Sequence, residues 1–230
     1  MNTFPTVIFM YGPAGSGKGT QTELLAQKFG YSILDIGVEI RSFVKQFILQ
    51  PEHQNYSLAG RMEQRINAGL PILTDDAVHF LGQKIEEKLR GGEKVIIDGA
   101  LRSAEQALWQ SKLMTKYAVP ACLFHIHISF KETIKRAQKR WYVPGATKVF
   151  HSFDDAVAAA EPGMVPYQRE DDKEVGIVLK RYQTMYEDVW PRVLSVFQLE
   201  TKLPVFVVNG EQQIEEVHTD ILRYLNTYFV

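Results

Sequence analysis

The sequence predicts an α/β fold in which five parallel strands form a sheet flanked by helices. Three observations lead there: short apolar runs recurring between helical patterns, a glycine-rich loop between the first run and the first helix, and an ordinary globular composition. The chain has 230 residues, 45% hydrophobic and 23% charged, enough to build a sizeable core. Runs that are apolar at nearly every position suit parallel strands, which are buried on both faces. Strand and helix in alternation imply right-handed crossovers.

Taken in order, the strand candidates are Val7 to Tyr11, Ser32 to Asp35, Lys94 to Asp98, Cys122 to Ile128 and Val205 to Val208. Lys18 to Phe29 reads as a helix with Leu24, Leu25 and Phe29 on its apolar face. Asp75 to Arg90 reads as another, with Val78, Leu81, Ile85 and Leu89 in phase and Gly91-Gly92 as a stop. Two connections are too long for simple crossovers. Asp35 to Lys94 has room for two or three helices; Ile128 to Val205 holds a helix, an irregular stretch from about 141 to 169, and a long helix. An irregular stretch of that length in a compact domain is read as a lid or binding loop. The expected organisation is a single domain with a core of about 1–35, 75–139 and 172–230, one insertion of about 36–74 and a second of about 140–171.

Charge and composition narrow the function. A net charge of −1 without long Lys/Arg runs leaves no footprint for nucleic acid. The single cysteine, Cys122, fits a packed thiol in a reducing compartment. MNTFPTVIFM has neither a basic leader nor a cleavage pattern, and its apolar run falls short of the ~20 residues of a membrane span. A cytoplasmic protein with no membrane and no nucleic-acid partner is expected.

The chemistry concentrates in Gly12-Pro13-Ala14-Gly15-Ser16-Gly17-Lys18, which fits the P-loop pattern G-x-x-x-x-G-K with a strand before it and a helix after it. Glycines let successive N–H groups turn toward one point, the helix N-terminus adds a positive dipole end, and the lysine reaches outer phosphates. A dinucleotide fingerprint fits worse, because Gly15-x-Gly17 would need glycine where Thr20 stands. A mere tight turn accounts for one glycine but not for several with a lysine. The position after the lysine, where serine or threonine would meet Mg²⁺, is Gly19, followed by Thr20.

That narrower pattern, GPAGSGKGTQ, resembles the adenylate kinase family of nucleoside monophosphate (NMP) kinases. The resemblance implies a P-loop NTPase-type sheet with a helical NMP-binding insertion and a lid insertion. It also implies that Gly15, Ser16, Gly17, Lys18, Gly19 and Thr20 bind ATP. It extends to DGALRSAEQ, where Asp98, Arg102 and Gln106 match. By resemblance Asp98 acts near Mg²⁺ through water, Arg102 takes the acceptor phosphate, Gln106 meets the acceptor base and Gly99 lines the same site. The usual Phe-Pro pair is Ala100-Leu101. In LDIGVEIRSFV, Gly37 and Arg41 match, and Arg41 would take the acceptor phosphate. Ile36 and Val38 replace a threonine and an aspartate there, so a hydroxyl at the acceptor is missing. In NAGLPILTDDAV, Ile72 or Leu73 would lie against the base.

Further along, Arg136 and Arg140 share one helix face by their spacing, a pair that in isolation reads as a solvated surface. The resemblance puts Arg136 on the ATP base, Arg140 on the transferring phosphates, and Val149 and Phe150 beside the adenine. QREDDKEVGIVLKRY carries Arg169, Asp171 and Asp172 of an RxDD pattern, with Arg169 on the acceptor side. The next cation is Lys180 in strict register and Arg181 with a shift of one, and both stay open. Gln212 would offer its backbone to the ATP base. The implied catalytic set is Lys18, Arg102, Arg140, Arg169 and one of Lys180 or Arg181. Some family lids bind zinc through four cysteines; this one has none, so no zinc is expected. His125 and His127 read as core or strand-end residues, and His151 as a structural hydrogen-bonding residue.

The implied reaction is reversible, Mg²⁺-dependent phosphoryl transfer from ATP to AMP by a monomer. The alternatives are a kinase for UMP, CMP or a deoxynucleotide, and a nucleotide-binding protein or slow ATPase with a degraded acceptor site.

Overall fold

A computed structural model describes residues 4–48, 58–67, 72–146 and 149–229. Its centre is a five-stranded parallel sheet in which β1 (Val7–Tyr11) lies between β3 (Val95–Asp98) and β4 (Ala121–His127). The outer strands are β2 (Ser32–Asp35) and β7 (Val205–Asn209), giving the order β2-β3-β1-β4-β7. The five expected strands are present, β1 and β2 with the expected ends and the others displaced by one residue: β3 begins at Val95, β4 runs from Ala121 to His127 and β7 ends at Asn209.

Both faces of the sheet are covered, which explains the continuous apolar runs. Along β1, Val7, Phe9 and Tyr11 enter one buried cluster with Leu34, Ile85, Ile97 and Phe197. Ile8 and Met10 enter the other, with Leu25, Phe124, Ile221 and Leu225. Alternate residues of one strand therefore serve two cores. The first cluster draws on α4 (Thr74–Arg90) and α5 (Ala104–Lys116), the second on α1 (Lys18–Phe29) and α11 (Ile214–Phe229).

The first long connection contains α2 (Ile36–Ile48), α3 (Leu58–Asn67) and α4. Residues 68–71 of the NAGLPILTDDAV stretch lie outside the described residues. In the second connection, α6 (Phe130–Ala137) leads to the stretch expected to be irregular. The structure corrects that expectation: β5 (Trp141–Tyr142) pairs antiparallel with β6 (Val149–Phe150), and α7 (Phe153–Ala159) follows. Ser152 starts α7 by accepting a hydrogen bond at Oγ from the Asp155 N–H, a cap that satisfies an otherwise orphaned donor.

The chain then forms α8 (Glu170–Lys173) and α9 (Val175–Tyr182), a π-helical turn at Gln183–Glu187, α10 (Trp190–Ser195) and a second π-helical turn at Val196–Thr201. The single long helix expected here is interrupted. Pro191 in the first turn of α10 lacks the N–H that would continue the preceding ladder. No described helix is long and apolar enough to cross a membrane.

Candidate active site

The parallel strands end on the same side, so their C-terminal residues and the loops after them surround one cleft. It is lined by Gly12, Pro13, Ala14 and Lys18 of the glycine loop, Arg102 after β3, Asp172 of α8, Arg181 and Tyr182 of α9, and Met185 and Tyr186 of the π-helical turn.

The loop backbone explains its glycines. Gly15 and Gly17 have φ of +81° and +92°, where a side chain is strained. Gly12 has φ +149°, and a Cβ there would sit 2.2 Å from the Ile126 carbonyl oxygen. By contrast Gly19, in the first turn of α1, has nothing within 4 Å of where a Cβ would stand. Lys18 Nζ donates to the carbonyls of Gly12 and Pro13, both at 2.9 Å. Burial, with Arg102 and Arg140 nearby, pushes the Lys18 pKa down to about 8 against the opposing pull of Asp98.

Asp98 closes β3 and stands in register with Asp35 at the end of β2. Burial pushes the Asp98 pKa up to about 6; Lys18 and Arg102 resist this and Asp35 adds to it. Asp35 also accepts the Val38 N–H at 3.0 Å, fixing the start of α2. Two carboxylates at adjoining strand ends beside a phosphate-type loop are hard oxygen donors that fit Mg²⁺ held through water. Among the described residues no three His, Cys, Asp or Glu side chains gather as a metal cage.

The turn after β3 is locked locally. Gly99 has φ +79°, the Arg102 N–H donates to Gln106 Oε1 at 2.9 Å, and Ser103 Oγ caps α5 by accepting from the Gln106 N–H. Gln106 is 3% exposed, so in this structure its oxygen serves the loop. Arg102 Nε donates to the Gly99 carbonyl at 3.1 Å and its Nη1 lies 3.6 Å from Met185 Sδ. Ala100 and Leu101 are buried in the core.

Of the two open cations, the structure places Arg181 on the cleft and leaves Lys180 exposed outside it. Val178 and Tyr182 are the buried face of α9, and Lys180 falls midway between them, on the opposite side. Arg140 Nη1 is 3.4 Å from Asp172 Oδ1. Arg169 stacks over the Tyr142 ring at 4.0 Å. Arg41 is within electrostatic reach of Arg169 and Asp35. Arg136 packs against the loop, with Nε on Glu132 at 2.8 Å and Nη1 donating to the Gly15 carbonyl at 3.1 Å.

The remaining sequence-named residues are more peripheral. Val149 and Phe150 are half-buried in the β5–β6 pair. Gln212 Nε2 donates to Asp220 Oδ2 at 3.1 Å. Ile36 is buried at the start of α2, Ile72 packs on the core, and Leu73 is 45% exposed.

Three features escaped sequence reasoning. Asp172 is a shared counter-ion for Arg140 and Arg181, and Tyr142 donates to it at 2.7 Å. Tyr186 stands between two rings: its hydroxyl is 2.7 Å from His125 Nε2 and 2.5 Å from His127 Nδ1. Burial, with His127 and Lys18 nearby, pushes the His125 pKa down to about 3. The RxDD pattern flagged Asp172 without its partners. Tyr142 and Tyr186 carry no local signal, because their partners are far along the chain.

A glycine loop opening onto a cleft at the C-terminal ends of a parallel sheet, with a lysine and several arginines converging on it, defines a P-loop phosphotransferase. The chain belongs to the AAA-domain family, whose model matches residues 7–162. Over nearly its whole length it is also similar to curated proteins named adenylate kinase. That of Chloroherpeton thalassium is 26% identical over 225 residues, covering 96% of this chain and 98% of the relative. That of Petrotoga mobilis is 26% identical over 227 residues, covering 96% and 98%. That of Pyrococcus furiosus is 27% identical over 223 residues, covering 91% of each. The chain is thus a phosphotransferase enzyme.

Proposed function

We propose that the chain transfers the terminal phosphoryl group of ATP reversibly to AMP, producing two ADP. The observation that carries this reading is the convergence of Lys18, Arg102 and Arg181 on one cleft, each from a different element. Phosphoryl transfer demands in-line positioning and positive charge around the equatorial oxygens, with little covalent work from the protein. Lys18 and the loop N–H groups would hold the donor phosphates, Arg41 and Arg102 the acceptor phosphate, and Arg140, Arg169 and Arg181 the group in transit. Mg²⁺, when bound with ATP, supplies charge neutralisation at the phosphates, and Asp98, next to Asp35, would hold its waters.

The segment of about 36–74 is assigned to the acceptor and that of about 140–171 to the lid. Closing both delivers their arginines and expels water, which would otherwise accept the phosphoryl group. The buried free thiol of Cys122 suits a reducing compartment such as the cytoplasm.

A second reading, a pyrimidine or deoxynucleoside monophosphate as acceptor, is favoured by Ile36, which puts a buried apolar side chain where the related pattern has a hydroxyl. A coupled assay over a panel of monophosphates decides between them. AMP is expected to turn over fastest; faster turnover of UMP, CMP or a deoxynucleotide would replace the assignment. ATP hydrolysis with no acceptor used would indicate a slow ATPase.

A further inference from the structure

Three cations assigned above to the phosphates come from separate parts of the chain: Arg140 from the turn after α6, Arg169 from the exit of the lid, and Arg181 from α9. One buried tyrosine supports all three. Tyr142, 6% exposed, lies with its ring beneath the Arg169 guanidinium at 4.0 Å and near that of Arg140 at 5.6 Å. Its hydroxyl donates to Asp172 Oδ2 at 2.7 Å. Asp172, 2% exposed, in turn meets Arg140 Nη1 at 3.4 Å and Arg181 Nη1 at 3.5 Å. The Tyr142 backbone exchanges hydrogen bonds with Tyr167 at 2.8 and 2.9 Å, so the same residue ties the chain entering the lid to the chain leaving it.

The distances carry a charge argument. An ionised carboxylate between two guanidiniums closes to about 2.7–2.9 Å when nothing else holds it. Here both arginines stay at 3.4 Å or beyond while the tyrosine hydroxyl takes the short bond. Asp172 thus orients Arg140 and Arg181 through long contacts, with Arg140 Nη1 reaching both of its oxygens at 3.4 and 3.5 Å. The ring under Arg169 orients a third cation without neutralising it, as a cation–π contact does. We infer that Tyr142 is a positioning residue for phosphoryl transfer, holding Arg140, Arg169 and Arg181 in register through Asp172 and its own ring. This rests on the assignment of those arginines to phosphates.

The test compares Tyr142→Phe, Asp172→Asn and the double variant with the parent, and uses Arg140→Ala and Arg181→Ala as references. ATP and the best monophosphate of the panel are the substrates. Tyr142→Phe keeps the ring, and its circular dichroism is expected to match the parent's, with a thermal midpoint lower by only a few degrees because Asp172 keeps its two arginines. Its kcat is expected to fall roughly 10-fold, the factor matching one lost hydrogen bond to a charged group, with a smaller change in KM. The double variant is expected to be no slower than Asp172→Asn alone, because the hydroxyl acts through the carboxylate. Parental kcat in Tyr142→Phe, alongside crippled Arg140→Ala and Arg181→Ala, would overturn the inference, and so would additive losses in the double variant. Parental turnover in both arginine variants would instead remove the phosphate assignment, and the inference with it.

Discussion

The ammonium of Lys18 is folded back on its own loop, 2.9 Å from the carbonyl of Pro13 and equally close to that of Gly12. The charge is satisfied by the carbonyls of the cradle itself, and in the role proposed for Lys18 phosphate oxygens would take their place. Lys18→Ala is expected to lower kcat by at least ~10²-fold, the order seen for removing one preorganised donor. Its thermal midpoint should stay near the parent's, since the lost charge was partly buried. Near-parental turnover would refute the role given to Lys18.

The pH dependence follows from two shifted groups. Asp98, raised to about 6 by burial, must be anionic to organise metal-bound water, so kcat/KM is expected to fall as pH drops through about 6. Lys18, lowered to about 8 by burial, must be cationic to meet phosphate, so kcat/KM is expected to fall as pH rises through about 8. A bell-shaped profile with those limbs results. In Asp98→Asn the acid limb should disappear; its survival there would assign that limb to another group.

Glycines of the loop should differ sharply in tolerance. Gly19→Ser places a side chain in open space at a helical position and is expected to gain about 0.5 kcal/mol of stability. Gly12→Ala would push a methyl to within 2.2 Å of the Ile126 carbonyl oxygen, and a loss of at least ~1 kcal/mol is expected. Urea unfolding of both variants measures the contrast. Equal midpoints would contradict the packing at Gly12.

Tyr186→Phe removes the hydroxyl between His125 and His127. His125 Nδ1 is already buried without a partner, so the variant leaves both ring nitrogens unsatisfied. A loss of about 1–3 kcal/mol is expected from that buried donor and acceptor. Chemical denaturation with unchanged stability would show that the ring nitrogens find other partners.

Much of this was legible in the chain. The strand runs were readable because a strand buried on both faces must be apolar throughout, and β1 feeds two cores in alternation. The glycine loop was readable because positive φ is a local backbone demand that few residues other than glycine meet. The stretch from 141 to 169 was less legible. A two-residue strand pair and a seven-residue helix are too short to show a period.

By itself the sequence determined the phosphate loop, the order of the strands and helices, and which charged residues stand near strand ends, all properties of short windows. Only the tertiary structure decided that Arg181 and not Lys180 faces the cleft, since that depends on the burial of Val178 and Tyr182, which sets the phase of α9. It alone decided that Asp172, Tyr142 and Arg140 meet. It also joined Tyr186 to two histidines of β4. These partners are separated by many residues, and their contact is fixed by how helices pack on the sheet, which no local pattern encodes.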